Sequence, residues 1–134
     1  MALRDHDILG SMISRVARID HIQIAAPQGC EPAARDFYGS VLGMKEIENP
    51  PVLRARGGCW FECDSQQVHI GVERDFQPAR KAHPAFAVPD LDELRGTLKA
   101  RGAKVVDDDN LPGARRFYAE DPWGNRLEFV EVIA

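Results

Sequence analysis

The chain repeats a pattern of about 60 residues, and this repeat constrains its fold more than any other feature of the sequence. His21 opens a predicted strand in the first half, and His83 opens one in the second half. Late in each half a residue able to bind a metal stands between two apolar neighbours, His69 in the first and Glu128 in the second. Equivalent positions of duplicated units tend to face one another across a pseudo-twofold axis. The repeat therefore predicts that these four side chains converge.

Both halves show the predicted order β-α-β-β-β, and the first half has one further short strand. An apolar stripe at helical spacing that includes Phe37 and Tyr38 indicates the first helix, and Leu91, Leu94 and Leu98 indicate the second. Alternating and short apolar runs bounded by turn residues indicate the strands. In the first half we expect strands near 18–26, 44–47, 52–56, 59–63 and 67–72, with a helix over 31–41. In the second half we expect strands near 86–88, 104–106, 115–119 and 126–132, with a helix over 91–101.

Several short strands accompany each helix, which favours an α+β fold over a doubly wound parallel sheet. We expect two modules whose sheets are rich in antiparallel pairs and curl around a shared cavity, forming a curved mixed-sheet cup. The predicted single domain spans 17–132, with module one at 17–73 and module two at 82–132. A polar connector joins the modules, and residues 1–16 form an N-terminal extension.

Composition excludes several classes of function. The net charge of −4 argues against non-specific binding to nucleic acid, which needs a basic surface. No apolar run approaches the roughly 20 residues that a membrane helix requires, and the charged residues near the N-terminus do not suit a secretion signal. The three cysteines have no framework spacing, so we expect reduced thiols and a cytoplasmic protein.

His21, His69, His83 and Glu128 have the donor chemistry of a divalent metal site. Imidazole together with carboxylate suits Zn, Ni, Fe, Mn or Co, and no thiolate is needed. A carboxylate such as Glu128, with apolar neighbours on both sides, is costly to bury unless a cation or another partner compensates its charge. Glu131 is the alternative ligand if the register of that strand is shifted. The sequence holds no phosphate-binding glycine loop, no nucleophile elbow and no Cys-x-x-Cys motif to suggest another chemistry.

Three segments resemble the vicinal oxygen chelate superfamily, which includes glyoxalases, bleomycin-resistance proteins and extradiol dioxygenases. The first is Asp20-His21-Ile22 followed by Phe37-Tyr38 and Leu42-Gly43. The second is His83-Pro84-Ala85-Phe86-Ala87-Val88 followed by Asp90-Leu91-Asp92-Glu93-Leu94. The third is Asp121-Pro122-Trp123-Gly124-Asn125-Arg126-Leu127-Glu128-Phe129. The resemblance runs from about residue 17 to residue 132.

The resemblance implies paired βαβββ modules that form a cup, commonly in homodimers, with one divalent metal ion that binds two adjacent oxygens of a small substrate. In glyoxalase I the ligands come from the first and last strands of each module, which here carry His21, His69, His83 and Glu128. The second of these ligands is usually Glu or Gln in glyoxalase I, where this chain has His69. Members with three ligands would use His21, His83 and Glu128 alone.

Two functions follow as expectations. The first is a metal-dependent enzyme, of lyase or isomerase, thiol transferase or dioxygenase type, in which Glu128 is a ligand and also the proton-shuttling base. The alternative is a metal-free protein of the bleomycin-resistance type that binds a small molecule or antibiotic in the same cavity. Both predict a small-molecule partner and neither predicts a nucleic acid or a membrane.

Overall fold

Eight strands form two four-stranded sheets in the computed structural model, which describes residues 14–108, 110 and 112–132. Module one contains β1 His21–Ala26, β2 Lys45–Ile47, β3 Cys59–Cys63 and β4 Gln66–Val72. Module two contains β5 Ala85–Val88, β6 Val105–Asp107, β7 Arg116–Glu120 and β8 Arg126–Glu131.

The two sheets have the same topology. Their strand orders are β1-β4-β3-β2 and β5-β8-β7-β6. In each sheet the first strand pairs in parallel with the last, and the remaining pairs are antiparallel. This agreement confirms the predicted α+β fold with two repeated mixed-sheet modules. The predicted extension over 1–16 lies largely outside the described residues.

Helices cover one face of each sheet. Helix α1, Glu31–Ala34, continues as a π-helical segment, Arg35–Val41. Helix α3 is Leu91–Ala100, and its N-terminus is capped by Asp90, whose carboxylate accepts a hydrogen bond from the backbone N–H of Glu93 at 3.1 Å. The apolar stripes on these helices cover Phe61, Phe117 and the other buried residues of the sheets. None of the helices in the described part of the chain is long and apolar enough to cross a membrane.

The strand predicted near 52–56 is wrong, because this segment forms a short helix, α2, Pro51–Arg54. Proline at the first helical position is already fixed at a helical φ, and its missing N–H is not needed there. The carbonyl of Pro50 accepts hydrogen bonds from the backbone N–H groups of Leu53 and Arg54 at 3.0 and 2.8 Å, which closes the turn. The apolar residues Val52 and Leu53 gave a strand-like pattern that this local proline geometry overrides.

A buried polar network joins the two modules. The Tyr38 hydroxyl in module one donates to the Asp121 carboxylate in module two at 2.8 Å. The Asn125 side-chain amide donates to the same carboxylate at 2.9 Å and to the Ala25 carbonyl of β1 at 2.8 Å. The Asp121–Asn125 segment, which is part of the third segment that resembles the superfamily, therefore also links the two modules.

Candidate functional site

The sheet face opposite the helices carries the four predicted ligands. Strand register places His21, Gln67 and His69 on this face of module one. The corresponding face of module two carries Glu128 and Tyr118, which are register partners on β8 and β7. His83 lies just before β5 and contacts both of these side chains. We call these two surfaces the polar faces of the modules.

The structure brings the predicted ligands together as two pairs, one on each module. The rings of His21 and His69 are stacked, with centroids 4.3 Å apart and planes 20° apart. On module two, His83 Nε2 lies 3.0 Å from Glu128 Oε1. Among the residues that the structure describes, no group of three or more His, Cys, Asp and Glu side chains is close enough together to hold a metal ion.

His21 and His83, one from each pair, line the same cavity of about 690 Å³ between the modules. Its wall also includes apolar residues from both sheets, among them Ile22, Val68 and Phe86. A cavity of this size, with apolar walls and a few polar groups, is typical of a small-molecule site. Of the four predicted ligands, His21 and His83 line this cavity, and His69 and Glu128 do not.

In both histidines that line the cavity, His21 and His83, the ring nitrogen Nδ1 faces a hydrogen-bond acceptor. Nδ1 of His83 lies 2.8 Å from the Lys81 carbonyl oxygen, and Nδ1 of His21 lies 3.0 Å from Asp20 Oδ2. Both acceptors require a proton on Nδ1, which leaves Nε2 of each ring for another partner. Metal-bound histidines usually make this kind of hydrogen bond from the nitrogen that does not face the metal. The hydrogen bond from His21 also lowers the pKa of Asp20.

His69 is held differently. Its Nε2 lies 2.8 Å from Gln67 Oε1, and its ring stacks on Trp60 with centroids 3.8 Å apart and planes 2° apart. Burial, with a smaller contribution from His21, lowers the pKa of His69. Because the lone pairs of stacked rings lie in nearly parallel planes, His69 and His21 cannot both point at one cation in this arrangement.

Arg116 compensates the charge of Glu128. The guanidinium Nη1 donates to Glu128 Oε2 at 3.2 Å, and Nη2 donates to Asp108 Oδ2 at the same distance. The side chains of Glu128 and Arg116 are only 9% and 17% exposed. Arg115, by contrast, pairs with Asp92 and Glu131 at the surface. Glu131, the alternative ligand, is therefore engaged away from Glu128, on the opposite face of β8.

Sequence reasoning missed the role of Trp60, although a signal was available. The hairpin of β3 and β4 turns at Asp64 and Ser65, and counting outward from this turn places Trp60 directly opposite His69. Cross-strand partners on one face of an antiparallel pair contact each other. All three cysteines are free thiols; Cys30 and Cys59 are buried, while Cys63 is partly exposed and lines the cavity.

Comparisons with known proteins agree with this architecture. Residues 18–129 match the family model described as the Glyoxalase/Bleomycin resistance protein/Dioxygenase superfamily. A crystal structure from Bacillus anthracis, of a protein assigned to the glyoxalase family, is 52% identical; the alignment covers 88% of this chain and 97% of that one, with a TM-score of 0.83.

More distant structures share the fold. A lactoylglutathione lyase from Agrobacterium tumefaciens is 22% identical, with a TM-score of 0.67 and coverage of 88% of this chain and 96% of that one. A glyoxalase/dioxygenase from Nostoc punctiforme is 20% identical, with a TM-score of 0.71 and coverage of 87% and 92%. No curated protein matches the chain significantly.

Proposed function

The chain belongs to the Glyoxalase/Bleomycin resistance protein/Dioxygenase superfamily, and from this premise we propose that it is a metal-dependent enzyme acting on a small substrate with two adjacent oxygens. The predicted ligand set is His21, His69, His83 and Glu128, and the ring geometry favours His21, His83 and Glu128 within it. A bound divalent cation of the Zn, Ni, Fe, Mn or Co group would act as a Lewis acid toward an oxyanion of the substrate.

The observation that carries the proposal is the hydrogen bonding of His83. Its Nδ1 faces a carbonyl oxygen, so this nitrogen keeps its proton, and its Nε2 faces the Glu128 carboxylate at 3.0 Å. Two acceptors facing each other repel, so this pair of atoms needs either a shared proton or a cation, which His83 and Glu128 would then hold. A metal ion there would leave the hydrogen bond of Nδ1 to Lys81 unchanged.

Glu128 is the proposed proton carrier. While it is not bound to the cation, Oε1 would accept a proton from a substrate beside His83 and return it at another position. Arg116, on Oε2, would keep the second oxygen fixed and compensate the charge of the ionised form. The apolar wall formed by Ile22, Val68 and Phe86 would exclude water from the reacting atoms.

Metal binding by purified, metal-supplemented protein tests this function. We expect one cation per site by elemental analysis. His83→Ala and Glu128→Gln should abolish stoichiometric binding, and His21→Ala should weaken it strongly. His69→Gln distinguishes the two ligand sets, because retention of the metal indicates three ligands and loss of the metal indicates four. Substoichiometric metal in the unaltered protein, or equal retention by the His83 and Glu128 variants, would contradict the proposal.

A metal-free binding protein is the second candidate, and the Arg116–Glu128 pair specifically favours it. The carboxylate that would need a metal to compensate its charge already has a cation 3.2 Å away. Such a protein would bind small molecules in the 690 Å³ cavity with an affinity that a chelator does not change. Ligand titration with and without chelator distinguishes it from the enzyme.

A further inference from the structure

A second cavity lies beside Glu128 on the polar face of module two and is rich in positive charge. Its volume is about 230 Å³, and its charged lining residues are Arg80, Lys104, Arg126 and Glu120. Three cations and one carboxylate leave a net charge of about +2. The Lys104 ammonium lies 3.6 Å from Glu120 Oε2, so this carboxylate is paired with Lys104. Among the residues that the structure describes, neither Arg80 nor Arg126 forms a salt bridge.

The ring of Tyr118 holds Arg126 in place. The guanidinium carbon of Arg126 lies over this ring, 4.0 Å from its centroid, an arrangement stabilised by cation–π attraction. Stacking uses the face of the guanidinium and leaves its N–H groups, which lie in the plane, able to bind an anion. The other charged group over Tyr118, Arg116, lies farther away at 5.4 Å and already binds Glu128 and Asp108.

The positive cavity adjoins the His83–Glu128 pair through Tyr118, which lines the cavity and is the register partner of Glu128. The ring of His83 packs edge-on against Tyr118, with centroids 5.4 Å apart. His83 and Arg126 also line one further cavity, of about 450 Å³. Along β8, Arg126 and Glu128 are two residues apart on the same face, a separation of roughly 7 Å. One small molecule can therefore contact both His83 and Arg126.

We propose that this cavity binds an anionic group of the substrate, a carboxylate or a phosphate, through Arg126 and Arg80. The inference rests on the proposed function, because it assigns a substrate class to the same polar face. The ligand would place its anionic end between the two guanidinium groups and its reacting oxygens beside His83 and Glu128. Charge-assisted hydrogen bonds from arginine suit the planar oxygens of either group.

Anion titration of chelator-treated protein tests this inference without depending on the metal. The probes are inorganic phosphate and acetate, followed by backbone amide NMR. We expect saturable binding that shifts the resonances of Tyr118, Gly124 and Arg126. Arg126→Gln and Arg80→Gln should each weaken binding by about tenfold, the loss of one charge-assisted hydrogen bond. Stronger binding of phosphate would identify a phosphate ester, and equal binding would identify a carboxylate.

Arg56→Gln is the matched control, since it removes the same charge from an exposed arginine that does not line this cavity. We expect it to bind the probes like the unaltered protein. Absence of saturable binding would overturn the inference, as would an equal loss of affinity in Arg56→Gln or shifts confined to other regions. Because metal content is measured separately, failure here is distinguishable from failure of the proposed function.

Discussion

His69 has the chemistry of a metal ligand, but its contacts fix its ring between other side chains. It is 5% exposed, stacked between Trp60 and His21, and bonded to Gln67. Burial favours the uncharged form of this ring, and the two stacking contacts fix its position. In this arrangement the ring of His69 packs against one face of the His21 ring. His21 is the imidazole of this pair that lines the cavity.

We predict that His69 titrates below 6.5, because burial penalises its charged form. The imidazole of His69 then binds a proton at a higher pH in the unfolded chain than in the folded chain. The contribution of His69 to stability is therefore lost as pH falls from 6.5 toward its folded pKa. Trp60→Ala should raise the pKa of His69 toward 6.5, measured by NMR of the imidazole Cε1–H.

The control for this titration is Trp123→Ala, which removes the other tryptophan. Trp123 stacks on Tyr38, and so it lies in a different part of the core. We expect the His69 titration to be unchanged in this variant. A His69 pKa that is equally raised by both substitutions would show that global loosening, and not the Trp60 contact, is responsible.

At the scale of single elements, the start of β3 depends on a close backbone approach. Gly58 has a φ of +97°, and a Cβ built on it would lie 2.2 Å from the Ile70 carbonyl oxygen of β4. Its N–H donates to Glu31 Oε2 at 2.6 Å, which links the strand to the beginning of α1 and lowers the pKa of Glu31. Only glycine accommodates both the positive φ and the contact with β4.

Two alanine substitutions at glycines should change stability in opposite directions. Gly58→Ala should lower the free energy of unfolding by roughly 3 kcal/mol, because the new methyl group meets backbone that cannot move aside. Gly96 lies inside α3, where a Cβ meets nothing within 4 Å. Gly96→Ala should therefore raise stability by about 0.5–1 kcal/mol through helix propensity. Urea unfolding of both variants measures these changes, and a stable Gly58→Ala protein would contradict the argument.

At the scale of the whole molecule, a few buried polar groups link the two modules. Tyr38 is fully buried at 0% exposure, and burial holds the pKa of its hydroxyl well above 10.0. It therefore remains a hydrogen-bond donor to Asp121 at neutral pH. Burial is also the main reason that the pKa of Asp121 is raised.

Tyr38→Phe should destabilise the protein by about 1–3 kcal/mol, because it removes one donor from the buried Asp121 carboxylate while preserving the aromatic packing. Tyr118→Phe is the control, since the Tyr118 hydroxyl makes no hydrogen bond within the part of the chain that the structure describes. We expect its stability to change by less than about 0.5 kcal/mol. Thermal unfolding of both variants tests this, and equal effects would argue against an inter-module role for Tyr38.

The sequence alone determined the repeat, the class of fold and the residues with ligand chemistry. Periodicity and turn residues carry local information, so the strands and the capped helix at Leu91–Ala100 could be predicted to within a few positions. The structure of the 52–56 segment could not be predicted in this way, because Pro50 and Pro51 favour a helical turn although the apolar residues indicate a strand. Hairpin counting could also have found the contact between Trp60 and His69.

Only the tertiary structure decided which of these residues meet. The pairs His21–His69 and His83–Glu128, the Arg116 contact with Glu128 and the positive cavity at Arg126 all join residues distant along the chain or set by strand register. Sequence patterns specify which face of a strand a side chain occupies. The distance between two faces depends on how the modules pack, and here a shared apolar core and the buried network around Asp121 hold the modules together.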